Sequence, residues 1–430
     1  MHLCLFEDDR VPALRPLVES RAAYDLRLGI RSVLGTARQA FDPEGLLLHA
    51  RPLVAPVTDQ AHDAPVNALP DGVDVLFLNG RFVAAGRAAT TQIRTHVQGD
   101  GAARAFTHDG TLVAAWVPAA SAHLPGDLLD APGVPPAPFS DLPATPLQDA
   151  TLIRRPWDLL DTLRPALRRD AAAYRDGPAT TPLSQRPHAS VHESVVAVRP
   201  AQITLGRNAE VRPGAVLNAE DGPIVLGDRA SVAERAVLRG PCYVGPQTQV
   251  KVGANLEGAA FGYWCKIAGE IHDTIIHALT NKGHPGFLGH AYLGQWCNVG
   301  ADTNNSNLRN DYGEVTAYAP AEADYMSTGR RFAGLFMGDH SKCGINTMFD
   351  TGTVVGTCCN LYGGDFPPRY VPPFSWGSPG DGFTTYRLEK ALSVAEQVMD
   401  RRDVPFTEAD ARLLSTLHER TAGERDAHHG

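Results

Sequence analysis

Hydrophobic residues fall into two textures along the chain. From the start to about residue 117 they come as short runs and helix-spaced sets. Residues 3–6 and 112–117 read as strands. Residues 22–40 carry Leu26, Ile30, Val33 and Leu34 at near-helical spacing, which predicts a helix. The run at 73–78 ends in Asn79-Gly80, which predicts a strand turning sharply into 81–85. The alternation gives an α/β domain over 1–117. Prolines then crowd 118–146, a density that fits neither a helix nor a central strand. With a helix bearing Trp157, Leu160, Leu163 and Leu167, and a Pro/Thr/Ser-rich stretch at 177–187, this makes a linker over 118–187.

The second texture begins near residue 188 and has a period of six. Leu205, Val211 and Leu217 open it. Leu226, Val232, Leu238, Val244, Val250 and Leu256 continue it. Leu293 and Val299, then Met337, Cys343, Phe349, Val355 and Leu361, close it. Glycine follows many of these residues, as at Gly206, Gly227, Gly245, Gly294, Gly300 and Gly344. No helix has a period of six, whereas a hexapeptide-repeat β-helix over 188–377 does. Each hexad gives a short strand with one inward aliphatic residue, and stacked coils bury a continuous column. A β-sandwich, which expects period-two alternation, fits the strict phase less well. The phase weakens at 257–287, where Ile276, Lys282 and Leu288 keep it, and breaks at 302–335. Solenoids carry insertions as loops on one face, which is where chemistry is sought. Residues 378–430 form a helical cap: one amphipathic helix at 386–402 and a second opened by a capping box at Thr407-Glu408-Ala409-Asp410.

Composition narrows the functions. With Lys+Arg 39 against Asp+Glu 48 the net charge is −9, which argues against a nucleic-acid binder. The seven cysteines include no C-x-x-C pair and read as small hydrophobes of a reducing cytoplasm. No run is long enough for a membrane span, and the acidic start Glu7-Asp8-Asp9 is unlike a secretory signal.

The densest polar stretch is 281–307, which joins Lys282, His284, His290, Asn298, Asn304, Asn305 and Asn307. Imidazole is the usual base near neutral pH, so His284 is the leading catalytic candidate. Each residue taken singly also suits a structural role at a coil corner. The N-terminal stretch 6–17 bears Glu7, Asp8 and Asp9 where a triphosphate-cradling loop needs glycine. Three carboxylates repel a nucleotide unless they hold Mg²⁺. Arg10, Arg15, Arg21 and Arg27 are the nearby cations for a phosphate, and their spacing suits an exposed helix face as well.

Gly283-His284-x-x-x-Leu288-Gly289, followed by Leu293-Gly294-x-x-Cys297-Asn298-Val299-Gly300-Ala301, resembles the acetyltransferase domain of the GlmU-type family. Those enzymes are bifunctional N-acetylglucosamine-1-phosphate uridyltransferases/glucosamine-1-phosphate acetyltransferases. Leu14-Arg15-Pro16-Leu17, Pro156-Trp157-Asp158, Phe374-Ser375-Trp376-Gly377 and Met399-Asp400-Arg401-Arg402 are similar to a branch of sugar nucleotidyltransferases. The resemblance implies a nucleotidyltransferase-like, Rossmann-like domain followed by a left-handed β-helix, in a homotrimer with sites between neighbouring chains. It implies acetyl-CoA as co-substrate and His284 as base. Lys251, His272, Phe287, Asn298 and Asn307 would then face the sugar phosphate, and Ala301, Asn307, Asp339 and Thr357 the acetyl-CoA. His272, Phe287 and Leu308 stand where the family has a lysine and two tyrosines. The acids at the N-terminus make its domain a degenerate variant with uridyl transfer in doubt, and leave Arg10, Arg15 and Arg21 as nucleotide contacts.

Two rival readings remain at this level. His272 and His277, with His284 or His290, have a spacing similar to zinc γ-carbonic anhydrases, which are β-helices too. A sugar-nucleotide-binding regulatory protein without catalysis is the other.

Overall fold

The computed structural model describes every residue except 86, 100, 122–138, 176–179, 184–189 and 430. Two compact units form. One comprises Met1–Leu14, Ser20–Leu26 and Arg31–Arg155, the other Arg15–Glu19, Arg27–Ile30 and Pro156–Gly430. The expected linker segments at 118–146 and 177–187 lie largely outside the described residues.

The first unit is built on a six-stranded sheet of β1 (His2–Phe6), β2 (Gly45–His49), β3 (Val75–Asn79), β4 (Arg104–His108), β5 (Thr111–Val117) and β6 (Ala144–Pro146). Their order is β2-β1-β3-β5-β4-β6. β1 runs parallel to both β2 and β3, a Rossmann-like core, and β5 runs antiparallel to β3 and β4. Cys4, Phe6, Leu47, Val75, Phe77 and Ala115 form its buried centre.

Two local expectations change. Asn79-Gly80 makes no hairpin: the Gly80 N–H donates to the Phe6 carbonyl, and Asn79 is buried with its amide on Asp8 and the Leu112 carbonyl. The hairpin forms at Asp109-Gly110, where both residues take positive φ (47° and 73°), as a two-residue turn between twisted strands requires. The helix expected over 22–40 is only α1 (Val33–Phe41), because the Ser32 side chain caps it by accepting from the Gly35 N–H. Helices α2 (Ala55–Ala61) and α3 (Arg87–Gln98) were not foreseen.

In the second unit, α4 (Asp158–Arg175) is followed by three sheets, the faces of the solenoid, parallel except for one antiparallel edge strand in each of the two larger. The first face has ten strands, including Ile275–Ala278, Tyr292–Gln295 and Leu335–Met337. The second has eleven, including Gln249–Val250, Lys266–Ile267, Asn281–Lys282, Asn298–Val299 and Lys342–Cys343. The third has six, ending in Glu270–His272 and Phe287–Gly289. The inward aliphatic column is the one the hexads specify: Leu205, Leu226, Val244, Phe261, Ile276, Leu293 and Met337 stack along one face. At about 25 cal/mol per Å² of apolar surface removed from water, this column is the main source of the unit's stability.

One corner repeats in every coil. Asn208, Arg229, Gln247, Trp264, Leu279, Trp296, His340, Cys358 and Phe374 all adopt φ between 51° and 61° where the chain leaves the first face. A left-handed residue is the tightest way to turn an extended chain through the corner of a prism, and its modest strain is met by packing.

The phase break at 257–287 is not a gap in the solenoid. Phe261 pairs with Ile276 fifteen residues on, and Leu256 with Ile271 likewise. The coil is shorter than three hexads, so the pairing persists while the sequence phase slips. The excursion at 302–335 is an insertion holding an antiparallel ribbon, Thr316–Ala319 with Asp324–Ser327. The cap has three helices where two were expected: α5 (Leu388–Asp400), α6 (Glu408–Arg420), with its capping box of Thr407 and Asp410, and α7 (Ala422–His428). All seven cysteines are buried free thiols, and burial pushes Cys297 up to about 12. Among the described residues no helix is long and apolar enough to cross a membrane.

Candidate functional site

His284 lies at the corner between the second and third faces, exposed, just after the strand Asn281–Lys282. The corner is shaped by its neighbours. Gly286 has φ +119°, and a Cβ there would stand 2.1 Å from the Thr303 carbonyl oxygen. The Pro285 carbonyl accepts from the Asp302 N–H at 3.0 Å. The asparagines downstream extend the third face by side-chain mimicry of a ladder. Asn304 Oδ1 accepts from the Phe287 N–H at 2.7 Å. Asn305 Oδ1 accepts from the Gly289 N–H at 2.8 Å while its amide donates back to the Gly289 carbonyl. The His284 ring itself makes no hydrogen bond among the described residues.

The second face beside this corner is polar and cationic. Register aligns Gln249, Lys266, Asn281, Asn298 and Lys342 on successive coils. Asn298 is exposed, and its Oδ1 accepts from Asn281 Nδ2 at 2.8 Å. Lys251 donates to Gln249 Oε1 at 2.8 Å. Lys266 is held below the ordinary lysine range, first by desolvation and then by Arg402, Lys251 and Arg401. A surface that crowds cations until one is depressed has spare attraction for an anion. Neither Lys266 nor Arg402 was singled out as a site cation in the sequence; the pairing register places Lys266, and the chain after α5 brings Arg402 within its electrostatic reach. Ala301 sits one coil on from His284, near the same edge.

The other candidates gather elsewhere. Phe287 opens the third-face strand three residues after His284, while His272, His290 and Asn307 lie toward the far edge of that face. The His272 and Phe287 rings tilt against each other at 5.9 Å, and Asn307 Nδ2 meets His290 Nδ1 at 3.0 Å. The His290 ring stacks on Phe332 at 4.9 Å, and desolvation lowers its pKa, opposed by Asp273. Asp273 is gripped by Arg164, which also reaches Glu257. Asp339 and Thr357 occupy the third edge. Asp339 Oδ1 accepts from the Gln295 N–H, and the buried Thr357 donates its N–H to Glu19. Within one chain, then, His284 has Lys251, Phe287, Asn298 and Ala301 near its edge, while His272, Asn307, Asp339 and Thr357 are not brought to it.

The zinc arrangement does not assemble. Residues five apart in this repeat fall on successive faces: His272 is on the third, and His277 is buried on the first, its Nδ1 on the Tyr292 hydroxyl at 3.0 Å. Among the described residues no group of three His, Cys, Asp or Glu is placed to hold a metal ion. In the excursion, Arg330 binds Asp158 and Asp161 of α4.

In the first unit the acids are structural. Glu7 accepts from the Ala23 and Arg51 N–H groups and the Arg51 guanidinium. Asp8 accepts from Arg81 Nε at 2.8 Å, Arg81 Nη2 at 2.5 Å and Asn79 Nδ2 at 2.9 Å. Every carboxylate oxygen of this pair already has a donor, which does not fit the Mg²⁺ role expected of them. Arg10 is exposed at the following turn, whereas Arg21 is buried, its carbonyl on Arg51. Arg15, in the second unit, is locked bidentate on Glu424 with Nε on Glu19, so its fork is already used. Arg27 likewise serves the main chain, binding the Gly29, Ile30 and His277 carbonyls.

A mixed α/β unit and a three-faced β-helix with an exposed corner imidazole thus make up the chain. Residues 3–178 match the family described as sugar nucleotidyl transferase. A protein of Sulfurisphaera tokodaii named bifunctional sugar-1-phosphate nucleotidylyltransferase/acetyltransferase is 30% identical over 102 residues, which are 24% of this chain and 25% of the relative. The chain thus spans about a quarter of that relative's length. Together these matches support the GlmU-like resemblance read from the motifs. Among solved structures, UDP-N-acetylglucosamine acyltransferase of Francisella novicida is 12% identical over 54% of this chain and 89% of its own, with a TM-score of 0.19. The Arabidopsis enzyme of that name is 11% identical over 56% and 96%, with a TM-score of 0.20. Nothing about this chain's activity follows from likenesses that low.

Proposed function

We propose that this protein is an acetyl-CoA-dependent N-acetyltransferase of an amino-sugar phosphate such as glucosamine 1-phosphate. Its N-terminal sugar nucleotidyltransferase domain serves the same pathway toward UDP-N-acetylglucosamine and cell-envelope sugars. The observation that carries the reading is the exposed His284 on a solenoid edge beside Lys251, Lys266 and Asn298. The cations attract the phosphate of the acceptor, and Asn298 offers an amide to its hydroxyls. His284 takes a proton as the amine nitrogen attacks the thioester carbonyl. The new N–C bond forms, the C–S bond breaks, and the departing thiolate recovers the proton from the imidazolium. A main-chain N–H at the edge steadies the transient oxyanion. His272, Asn307, Asp339 and Thr357, spread over other edges of one chain, suit a site completed by neighbours, which is why we propose a homotrimer. We place the protein in the cytoplasm, where both substrates are made.

The test is release of free CoA from acetyl-CoA with glucosamine 1-phosphate. His284→Ala is expected to lower kcat by about a hundredfold or more, in line with loss of a general base. Undiminished turnover in that variant would remove His284 as the base. Failure of acetyl-CoA and sugar phosphates to raise Tm would favour the regulatory reading instead.

A further inference from the structure

Inside the aliphatic prism the second face contributes Val211, Val232, Val250, Ile267, Lys282, Val299, Cys343 and Leu361 on successive coils. All but one are members of the hydrophobic column. The exception, Lys282, is 1% exposed. Its ammonium donates to the His284 carbonyl at 2.6 Å, the Pro285 carbonyl at 3.1 Å and, more weakly, the Ala268 carbonyl at 3.4 Å.

A cation is expensive to keep in such surroundings. Ile267 and Val299 fill this position in the neighbouring coils, so the column itself does not call for lysine. The corner does: the coil before it passes from Ile267 to Glu270 with only Ala268 and Gly269 between, whereas this one passes from Lys282 to Phe287 with four residues. The Lys282 ammonium meets the carbonyls on either side of Pro285 from inside the column, and the Pro285 carbonyl also takes the Asp302 N–H from the next coil. One ammonium therefore fixes two consecutive peptide planes, and the proline ring fixes the φ between them. That matters for the site because the His284 imidazole has no side-chain partner among the described residues to aim it. Its direction is set by its main chain alone.

We infer that Lys282 is a positioning residue for His284, holding the catalytic corner by its carbonyls from inside the solenoid. This rests on the acetyltransferase reading given above. Burial supports the picture: desolvation brings Lys282 down to about 8, with the Cys343 thiol and the Asp302 carboxylate as the ionisable groups facing it. The amine still donates to carbonyls when neutral, so the hold survives deprotonation.

The experiment compares Lys282→Met, Lys282→Gln, His284→Ala and the double variant Lys282→Met/His284→Ala in the full chain, all well below their melting temperatures. Free CoA release is followed with acetyl-CoA and glucosamine 1-phosphate. Amide exchange at Asp302, whose N–H ends on the Pro285 carbonyl, is followed beside it. The expected result is a kcat about tenfold to a hundredfold lower in both Lys282 single variants with KM little changed, since a displacement near 1 Å costs that much. Faster exchange at Asp302 should accompany it, and Lys282→Met should have no further effect once His284 is gone. Wild-type kcat in a folded Lys282→Met protein overturns the inference, as does a loss of folding in both Lys282 variants, which would make the lysine purely structural. If instead His284→Ala itself keeps full turnover, the base assignment fails, and slowed Asp302 exchange or faster exchange in Lys282→Met still decides whether the corner is held as described.

Discussion

A lysine in an aliphatic column binds its proton less tightly than the same lysine in an unfolded chain, and the sign of the consequence is fixed. Lys282 falls from 10.5 to about 8, so between those values the unfolded chain holds more protons than the folded one. Stability therefore rises with pH across that window, by about 3 kcal/mol in total at 1.36 kcal/mol per unit. Below pH 8 the burial penalty is carried in full. The measurement is a difference: Tm of the wild type minus Tm of Lys282→Met should increase as pH goes from 8 to 10.5, and a flat difference would mean that Lys282 titrates normally. In the sequence the residue was visible as a weak hexad position and as one member of the polar stretch 281–307. Periodicity told where its side chain points; it carried no information about which carbonyls wait there. His284 stood out as a candidate because an imidazole following a glycine beside a repeat break is rare chemistry. Lys266 and Arg402 did not, because only the stacking of coils brings residues so distant in sequence to one surface.

At the scale of the element, the prism was legible because burial imposes one inward residue per hexad, and the short strands follow from that alone. What hid the coil at 257–287 was its length: trimmed corners shift the phase without disturbing the ladder, as the pairing of Phe261 with Ile276 shows. The missed hairpin teaches the same lesson about turns. Asn79-Gly80 and Asp109-Gly110 carry the same local signal, and the outcome was decided by the Phe6 carbonyl, which takes the Gly80 N–H, and by the buried Asn79 amide. Corners also make a prediction. Gly286 combines φ +119° with a blocked Cβ direction, whereas Gly364 has open space around it. Gly286→Ala should cost on the order of 2 kcal/mol of stability or more and lower kcat through the displaced His284 corner. Gly364→Ala should leave Tm and kcat near the wild-type values. Thermal melts and CoA release on the two variants check this, and an unperturbed Gly286→Ala would show that the corner relaxes freely.

At the scale of the molecule, each unit has its own buried core, one centred on Phe6 and Phe77 and the other on the hexad column. The chemistry assigned to the solenoid should therefore be separable from the integrity of the α/β sheet. Asp8 gives the cleanest handle. It is 8% exposed, and it neutralises Arg81, one of the largest fully buried side chains in the protein. Asp8→Asn keeps the shape but leaves the guanidinium without its counter-charge, a change that costs about 3–5 kcal/mol for a buried pair. The double variant Asp8→Asn/Arg81→Met removes both charges and should recover much of that loss. Hydrogen exchange at the β3 amides of Leu78 and Asn79 should quicken in the single variant and slow again in the double. CoA release per folded molecule, which the proposed reading assigns to His284, should stay unchanged in both. Transfer of a nucleotidyl group to a sugar 1-phosphate is then the informative third readout. If Asp8 serves only as the counter-ion of Arg81, that activity should track stability and return in the double variant. Loss in both, with Tm restored in the double, would give Asp8 a role toward the nucleotide and overturn the structural reading of the N-terminal acids.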